Sequence, residues 1–172
     1  MPAAILALTW DTGVKMRALL LSDGTLEFNY RDGRFSDVSG VTIVDAWEVP
    51  VAGFGLSSER GYHSIRSQVT RVRFDPDFSQ GGLQSAAWLL WELSNATEVR
   101  GFEELSGVTS MEQMMVSCES LETVCCAAGA DFSGVATDTV MMSGCGRLVG
   151  GQGYVPGNSD GVEKLTHGWT GC

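Results

Sequence analysis

The sequence predicts an α/β solenoid, a right-handed stack of short repeats preceded by a β-hairpin region that caps it. Two observations lead to this prediction. From residue 81 onward, apolar residues recur with a period of 25–27 residues and are spaced three or four apart within each unit. Before that, apolar and polar residues alternate around a turn sequence, Asp23-Gly24. A period in this range is typical of leucine-rich repeats.

The N-terminal region begins with a predicted hairpin. Strand-forming residues flank Asp23-Gly24 on both sides. Asp-Gly favours a two-residue type I′ turn, because both turn residues need a positive φ. This turn would pair Leu19 with Phe28 and place both on one mostly apolar face.

Two further strands are predicted before the repeats, at residues 41–49 and 69–74, separated by an irregular Gly/Ser-rich stretch. We therefore assign residues 1–80 to a β-rich cap. Residues 81–172 form the predicted solenoid, with three repeats and a truncated fourth.

The repeat is defined by segments that align with one another. Residues 108–124 match residues 135–151 at an offset of 27. Residues 83–99 match residues 108–124 at an offset of 25. Residues 162–172 begin a fourth unit. The aligned pairs include Ser85 with Ser110, Leu90 with Met115, Met114 with Met141, Met115 with Met142 and Cys118 with Cys145.

Each unit is predicted to hold one short helix and one short strand. In the second unit the apolar positions are 108, 111, 114, 115, 118 and 121, which is one face of a helix. A single helix of this kind cannot bury its face alone, whereas stacked copies bury all of them. Residues 98–102 and 122–127 would then form neighbouring strands of a narrow parallel sheet.

The second unit resembles a known repeat. GVTSMEQMMVSCESLETV, at residues 107–124, is similar to the V-T-x-M-x-x-M-F-x-x-C-x-x-L pattern of BspA-like leucine-rich-repeat surface proteins of bacteria. The resemblance covers roughly residues 15–172. Leu93 replaces the cysteine in the first unit, and a glycine-rich segment replaces a strand at residues 150–158. The residues that fit are Val108, Thr109, Met111, Met114, Cys118 and Leu121, with Met115 in place of Phe.

The resemblance implies a protein that binds other macromolecules, at a cell surface or after secretion, without enzymatic activity. We expect a non-enzymatic recognition or adhesion module whose partner is a protein or a glycan. The alternative is a structural component of a larger assembly, such as a phage or cell-envelope fibre. The truncated fourth repeat could also support an end-to-end homodimer, because repeat stacks without a polar cap expose an apolar end.

Charge narrows the range of partners. The net charge is -10, which argues against nucleic acids and anionic membranes. Residues 1–100 carry 9 basic and 12 acidic residues, whereas residues 101–172 carry 2 and 9. An acidic half of this kind is typical of a solvated surface and also suits a cationic partner. The predicted partner-binding residues are Glu98, Glu103, Glu104, Glu122 and Asp131.

No motif predicts a catalytic, cofactor or metal site. His63 is interpreted as a loop histidine bonded to its neighbours, and Asp75 and Asp77 as turn residues rather than calcium ligands. Trp88 and Trp91 are expected to lie in the core or to be partly exposed at the cap.

The cysteines are predicted to stack as reduced thiols. Cys118, Cys145 and Cys172 occupy one repeat position. The alternative is a disulfide between neighbouring units, which an oxidising compartment would allow. A bridge between the adjacent Cys125 and Cys126 is not expected.

The N-terminus carries no recognisable targeting signal. The apolar run at residues 3–8 is too short for a membrane span, and no cation precedes it. These residues are expected to form a buried strand, and the protein to be cytosolic unless a leader lies outside this chain.

Overall fold

A six-stranded mixed sheet forms the centre of the computed structural model, which describes residues 13–31 and 40–148. Its strand order is β3-β1-β2-β4-β5-β6. β1 pairs antiparallel with β2 and β3, whereas β2, β4, β5 and β6 run parallel. The strands are β1 (Lys15–Leu21), β2 (Thr25–Arg31), β3 (Ile43–Glu48), β4 (Arg71–Phe74), β5 (Glu98–Arg100) and β6 (Thr123–Val124).

The predicted α/β leucine-rich-repeat solenoid is wrong. Each repeat was expected to hold an α-helix, and residues 13–31 and 40–148 contain none. The parallel strands of the repeats have only three residues in β5 and two in β6. β2 pairs directly with β4, so the hairpin belongs to the same sheet as the parallel strands. The helices in these residues are 3-10 helices at Ser57–Glu59, Gly61–Gln68, Phe78–Gly81 and Phe102–Leu105.

Consecutive turns explain the helix-like spacing. We call residues 85–93, 110–118 and 137–145 the three rungs of a turn ladder. Within the first rung, Leu93 donates its N–H to the carbonyl of Leu90, three residues back. The N–H of Leu90 itself crosses to Met114 in the second rung, at 2.9 Å. An α-helix would direct both bonds to the carbonyl four residues back. The turns nevertheless return an apolar side chain every three or four residues.

The rungs keep the predicted offsets of 25 and 27 residues. Ser85 bridges to Ser110, and Ser110 bridges to Thr137. The fourth unit, at residues 162–172, lies outside the described residues. Two sets of aligned positions in the three rungs also share a positive φ. These positions are Trp88 (64°), Gln113 (52°) and Val140 (60°), and Glu92 (58°), Ser117 (60°) and Gly144 (82°).

The hairpin forms, although its predicted register is wrong by one residue. Phe28 lies opposite Ala18, not Leu19. Gly24 adopts a φ of 85° and donates its N–H to the carbonyl of Leu21, which makes a three-residue loop. A slip of one residue moves every side chain to the other face of the strand.

One hydrophobic cluster joins the sheet to the turn ladder. Phe28 stacks on Phe74 with ring centroids 4.8 Å apart, and the cluster extends from Met16 to Leu148. Met115 is fully buried in it, as the repeat alignment predicts. Among the described residues, no helix is both long and apolar enough to cross a membrane.

Candidate functional site

A buried arginine closes one side of the turn ladder. Arg60 is 1% exposed, and its guanidinium donates to the carbonyls of Leu89 at 3.0 Å and Trp91 at 2.8 Å. The hydroxyl of Tyr62 donates to the same Leu89 carbonyl at 2.9 Å. In the second rung, the aligned carbonyls accept N–H groups from the first rung. Arg60 and Tyr62 therefore provide the hydrogen bonds that a preceding rung would supply.

Burial lowers the pKa of Arg60, yet a guanidinium stays charged under physiological conditions. Its carbon lies 5.2 Å from the centroid of the Tyr62 ring, within cation–π range. Burial also raises the pKa of Tyr62, so the phenol stays protonated and keeps its donor. The pair thus holds the first rung in place, and we call Arg60 and Tyr62 the clamp.

Three aromatic rings meet on the surface above Arg60. His63, Trp88 and Trp91 are all partly exposed, and we call them the aromatic corner. The rings of His63 and Trp91 are nearly parallel, at 21° and a centroid distance of 6.1 Å. The ring of Trp88 stands at 65° to Trp91, with centroids 6.3 Å apart. The corner therefore offers one flat aromatic surface and one wall.

The protonation state of His63 follows from its neighbours. Arg60 Nη2 lies 3.3 Å from His63 Nδ1, and because arginine can only donate, Nδ1 accepts. Desolvation and the nearby charges of Arg66 and Arg60 lower the pKa of His63. The ring is therefore neutral at pH 7, and Nε2 carries the proton as a hydrogen-bond donor at the corner.

Polar side chains border the corner. Arg66 Nε donates to Glu92 Oε2 at 3.1 Å, and both side chains are about one-third exposed, at 37% and 32%. Arg66 also donates to the carbonyl of His63, at 2.9 Å. The charges of Arg66 and Glu92 cancel. The exposed part of the corner is thus close to neutral although the whole chain is acidic.

The backbone under the corner is fixed by the ladder. Trp88 and Glu92 donate their N–H groups to the second rung, at 3.2 and 2.8 Å. Trp88 also has a φ of 64°, a left-handed conformation that costs a bulky residue roughly 1–2 kcal/mol. The aligned Gln113 and Val140 adopt the same conformation, so it belongs to the ladder and fixes the direction of the Trp88 side chain.

No known protein family, curated protein or solved structure matches this chain. The resemblance to BspA-like repeats therefore stays a prediction.

The predicted acidic binding residues occupy different environments. Glu98 lies on β5 and pairs with Arg100 at 2.6 Å. Glu103 and Glu104 lie on the 3-10 helix Phe102–Leu105, and their carboxylates accept backbone N–H groups from Ala127 and Ser79 respectively. These two glutamates thus connect neighbouring segments of the fold.

The remaining two predicted residues are at the surface. Glu122 is exposed, and its backbone N–H donates to Thr97. Asp131 accepts the N–H of Ser133 at 2.8 Å, and this bond lowers its pKa. Asp131 therefore stabilises a local turn in its charged form.

Cys118 and Cys145 are free, buried thiols, as predicted. Their Sγ atoms donate to the carbonyls of Leu90 and Met115, at 3.0 and 3.1 Å. The neighbouring Cys145 thiol and burial raise the pKa of Cys118. These thiols are therefore structural, and Cys172 lies outside the described residues.

The adjacent cysteines are not bridged to each other, which also confirms the prediction. Cys125 is disulfide-bonded and Cys126 is a free thiol. Burial and the neighbouring Glu103 raise the pKa of Cys126 to about 11, so it is unreactive at neutral pH.

A groove of about 390 Å³ lies beside the ladder, between residues 79–84 and 104–109. Within the described chain, no group of three or more metal-binding side chains is present. Asp75 and Asp77 both pair with Arg31, so their carboxylates serve a salt bridge.

Sequence reasoning missed the aromatic corner, although one signal was present. The second rung carries Gln113 and Val116 where the first carries Trp88 and Trp91. Two tryptophans that depart from the pattern of the repeat are not needed to build the ladder. They indicate a local function.

Proposed function

We propose that this protein is a non-enzymatic recognition module and that the aromatic corner is its contact site for a macromolecular partner. The observation that carries the proposal is the meeting of three partly exposed rings, His63, Trp88 and Trp91, on a backbone that the ladder fixes.

Energetic considerations support this role. Tryptophan and arginine are enriched among the residues that dominate binding energy, because they combine a large contact area with a polar group. Two neighbouring tryptophans that stay partly in water add little to the free energy of folding. Burying them against a partner removes apolar area from water and so favours binding. Rigid support also lowers the entropy lost on binding.

The test uses substitutions borrowed from the ladder itself. Trp88→Gln and Trp91→Val install the residues found at the aligned positions of the second rung, where the backbone is the same. Wild type and the double variant are screened against arrays of purified surface proteins and glycans. We expect the wild type to retain a specific ligand and the double variant to lose it.

A matched control is Glu119→Gln, an exposed change on the second unit that should leave binding intact. Circular dichroism and urea unfolding establish that all variants fold. A specific ligand that binds the wild type and the double variant equally well would refute the proposed site.

A further inference from the structure

The polar border of the aromatic corner identifies the chemistry of its ligand. We infer that the corner binds a neutral hexose unit of a glycan, with the sugar ring stacked on Trp91 beside the Trp88 wall. This inference rests on the proposed function and names the ligand class for the same site.

The shape of the corner fits one sugar ring. A pyranose has an apolar C–H face and a rim of hydroxyl groups. The indole of Trp91 is a flat apolar surface of similar size, and its partly exposed ring is already oriented by stacking on His63. Trp88, at 65° to it, would contact the edge of the same sugar.

The hydrogen-bonding groups around the corner fit the rim of a sugar. Glu92 supplies carboxylate oxygens that accept from hydroxyl groups, and Arg66 supplies guanidinium N–H groups that donate to them. His63 contributes its Nε2–H donor. Planar charged side chains of this kind bind neighbouring hydroxyl groups through two bonds at once, which fixes their orientation.

The charge balance favours a neutral ligand. Arg66 and Glu92 are already paired at 3.1 Å, and His63 is uncharged at neutral pH. The net charge of -10 would also repel a polyanionic glycan as it approached. A cationic ligand would have to compete with Arg60 and Arg66, which lie close to the same rings.

The neighbouring rung argues against a broad protein interface. The core of such an interface is large, apolar and surrounded by a polar rim. On the second rung, Gln113 and Ser117 are polar and only Val116, aligned with Trp91, continues the apolar surface. The apolar area therefore extends over a few side chains, which suits a sugar ring better than a broad protein contact.

The experiment probes the full chain with an array of neutral and acidic oligosaccharides that includes cellotetraose, chitotetraose, maltotetraose and a tetramer of galacturonic acid. Ligands are then confirmed in solution by titration calorimetry and by shifts of the tryptophan indole N–H signals. We expect saturable binding of at least one neutral oligosaccharide and none of the galacturonic acid tetramer.

The variants separate stacking from hydrogen bonding. Trp91→Val should weaken binding by about tenfold or more, and Trp91→Phe should recover part of the loss because it keeps a flat ring. Glu92→Ser, borrowed from Ser117 in the second rung, should also weaken binding, whereas Glu119→Gln should not.

Each other outcome decides against the inference. Binding confined to acidic oligosaccharides, or neutral binding that survives Trp91→Val, overturns it. If no saccharide binds and a purified protein partner requires the corner, the glycan inference fails and the recognition site stands. If neither class of ligand depends on the corner, both proposals fail.

Discussion

Arg60 has an unusual position for a charged residue, since it is almost completely buried and faces backbone carbonyls rather than a carboxylate. Charged donors make stronger hydrogen bonds to carbonyls than neutral donors do. Because Arg60 occupies the carbonyls of Leu89 and Trp91, no further rung can bind to them. Arg60 therefore determines where the ladder begins.

Replacing Arg60 should therefore destabilise the whole fold. Arg60→Met leaves the Trp91 carbonyl without its donor and the Leu89 carbonyl with Tyr62 alone, and we expect a loss of about 2–4 kcal/mol in the free energy of unfolding. Urea denaturation followed by fluorescence provides the measurement. Arg66→Met is the control, because it breaks a partly exposed ion pair and one hydrogen bond to the His63 carbonyl, and it should lose about 1 kcal/mol or less. Equal losses in the two variants would contradict this role for Arg60.

The clamp illustrates what the sequence leaves open at the residue scale. Arg60 and Leu89 are 29 residues apart, and no periodic pattern connects a lone arginine to a carbonyl. The burial of Met115, in contrast, followed directly from its place in the repeat.

At the scale of elements, the junction between β5 and the following 3-10 helix depends on Gly101. Its φ is 73°, and an added Cβ would lie 2.2 Å from the carbonyl oxygen of Phe74. That oxygen belongs to the backbone of β4 and cannot move aside without disturbing the sheet. The parallel strands can approach only because the position has no side chain.

Gly101 and Gly129 both have a left-handed backbone, and only Gly101 has an atom close to an added Cβ. Comparing them separates the cost of a steric clash from the cost of the left-handed conformation. Gly129 has a φ of 86° and no atom within 4 Å of an added Cβ. We expect Gly129→Ala to lower the unfolding free energy by about 1 kcal/mol, from the left-handed backbone alone. Gly101→Ala should lose about 3 kcal/mol or more, because the clash adds to that strain. Thermal or urea melts yielding the same loss at both sites would exclude the close approach.

Strands and repeats could be predicted where the spacing of their apolar residues fits only one kind of structure. Alternation and the Asp23-Gly24 turn correctly located the hairpin and β4, and the repeat offsets matched the ladder. The spacing of three and four residues did not distinguish an α-helix from successive turns, because both return a side chain to the same face. The backbone bond partners differ, as the N–H of Leu90 shows, and a single sequence does not record them.

The register of the hairpin was missed for a related reason. Asp23-Gly24 is compatible with a two-residue and a three-residue loop. Asp23 accepts the N–H of Thr25 at 3.0 Å, and Gly24 alone adopts the left-handed conformation, which selects the longer loop. The choice depends on local hydrogen bonds that alternation of apolar residues cannot distinguish.

Across the whole molecule, the sheet and the ladder share one hydrophobic cluster. The same set of buried side chains includes Leu26 in β2, Tyr62 of the clamp and Met142 in the third rung. The clamp residues precede the ladder in the chain and bind carbonyls of its first rung. Neither the sheet nor the ladder buries its apolar surface without the other.

We therefore expect the described core to unfold in a single cooperative transition. Far-ultraviolet circular dichroism, which follows the strands, and tryptophan fluorescence, to which Trp47, Trp88 and Trp91 contribute, should give the same urea midpoint. Hydrogen exchange adds a site-resolved control, because the amides of Leu90 and Met115 should be protected as strongly as those of β1 and β2. Separate midpoints for the strands and the ladder would mean that the two parts fold independently.

The hydrogen bonds of the ladder also give the molecule an electrical polarity. All eight inter-rung bonds donated by residues 86–92 and 111–117 point from an earlier rung to a later one. Peptide dipoles that align in this way add together, as they do in a helix, and leave a negative end and a positive end. The cation Arg60 lies at the negative end. Toward the positive end, residues 101–148 carry seven acidic side chains and one basic side chain. The buried cation thus opposes the backbone dipoles at the negative end, and the excess of acidic side chains falls in the units that follow it.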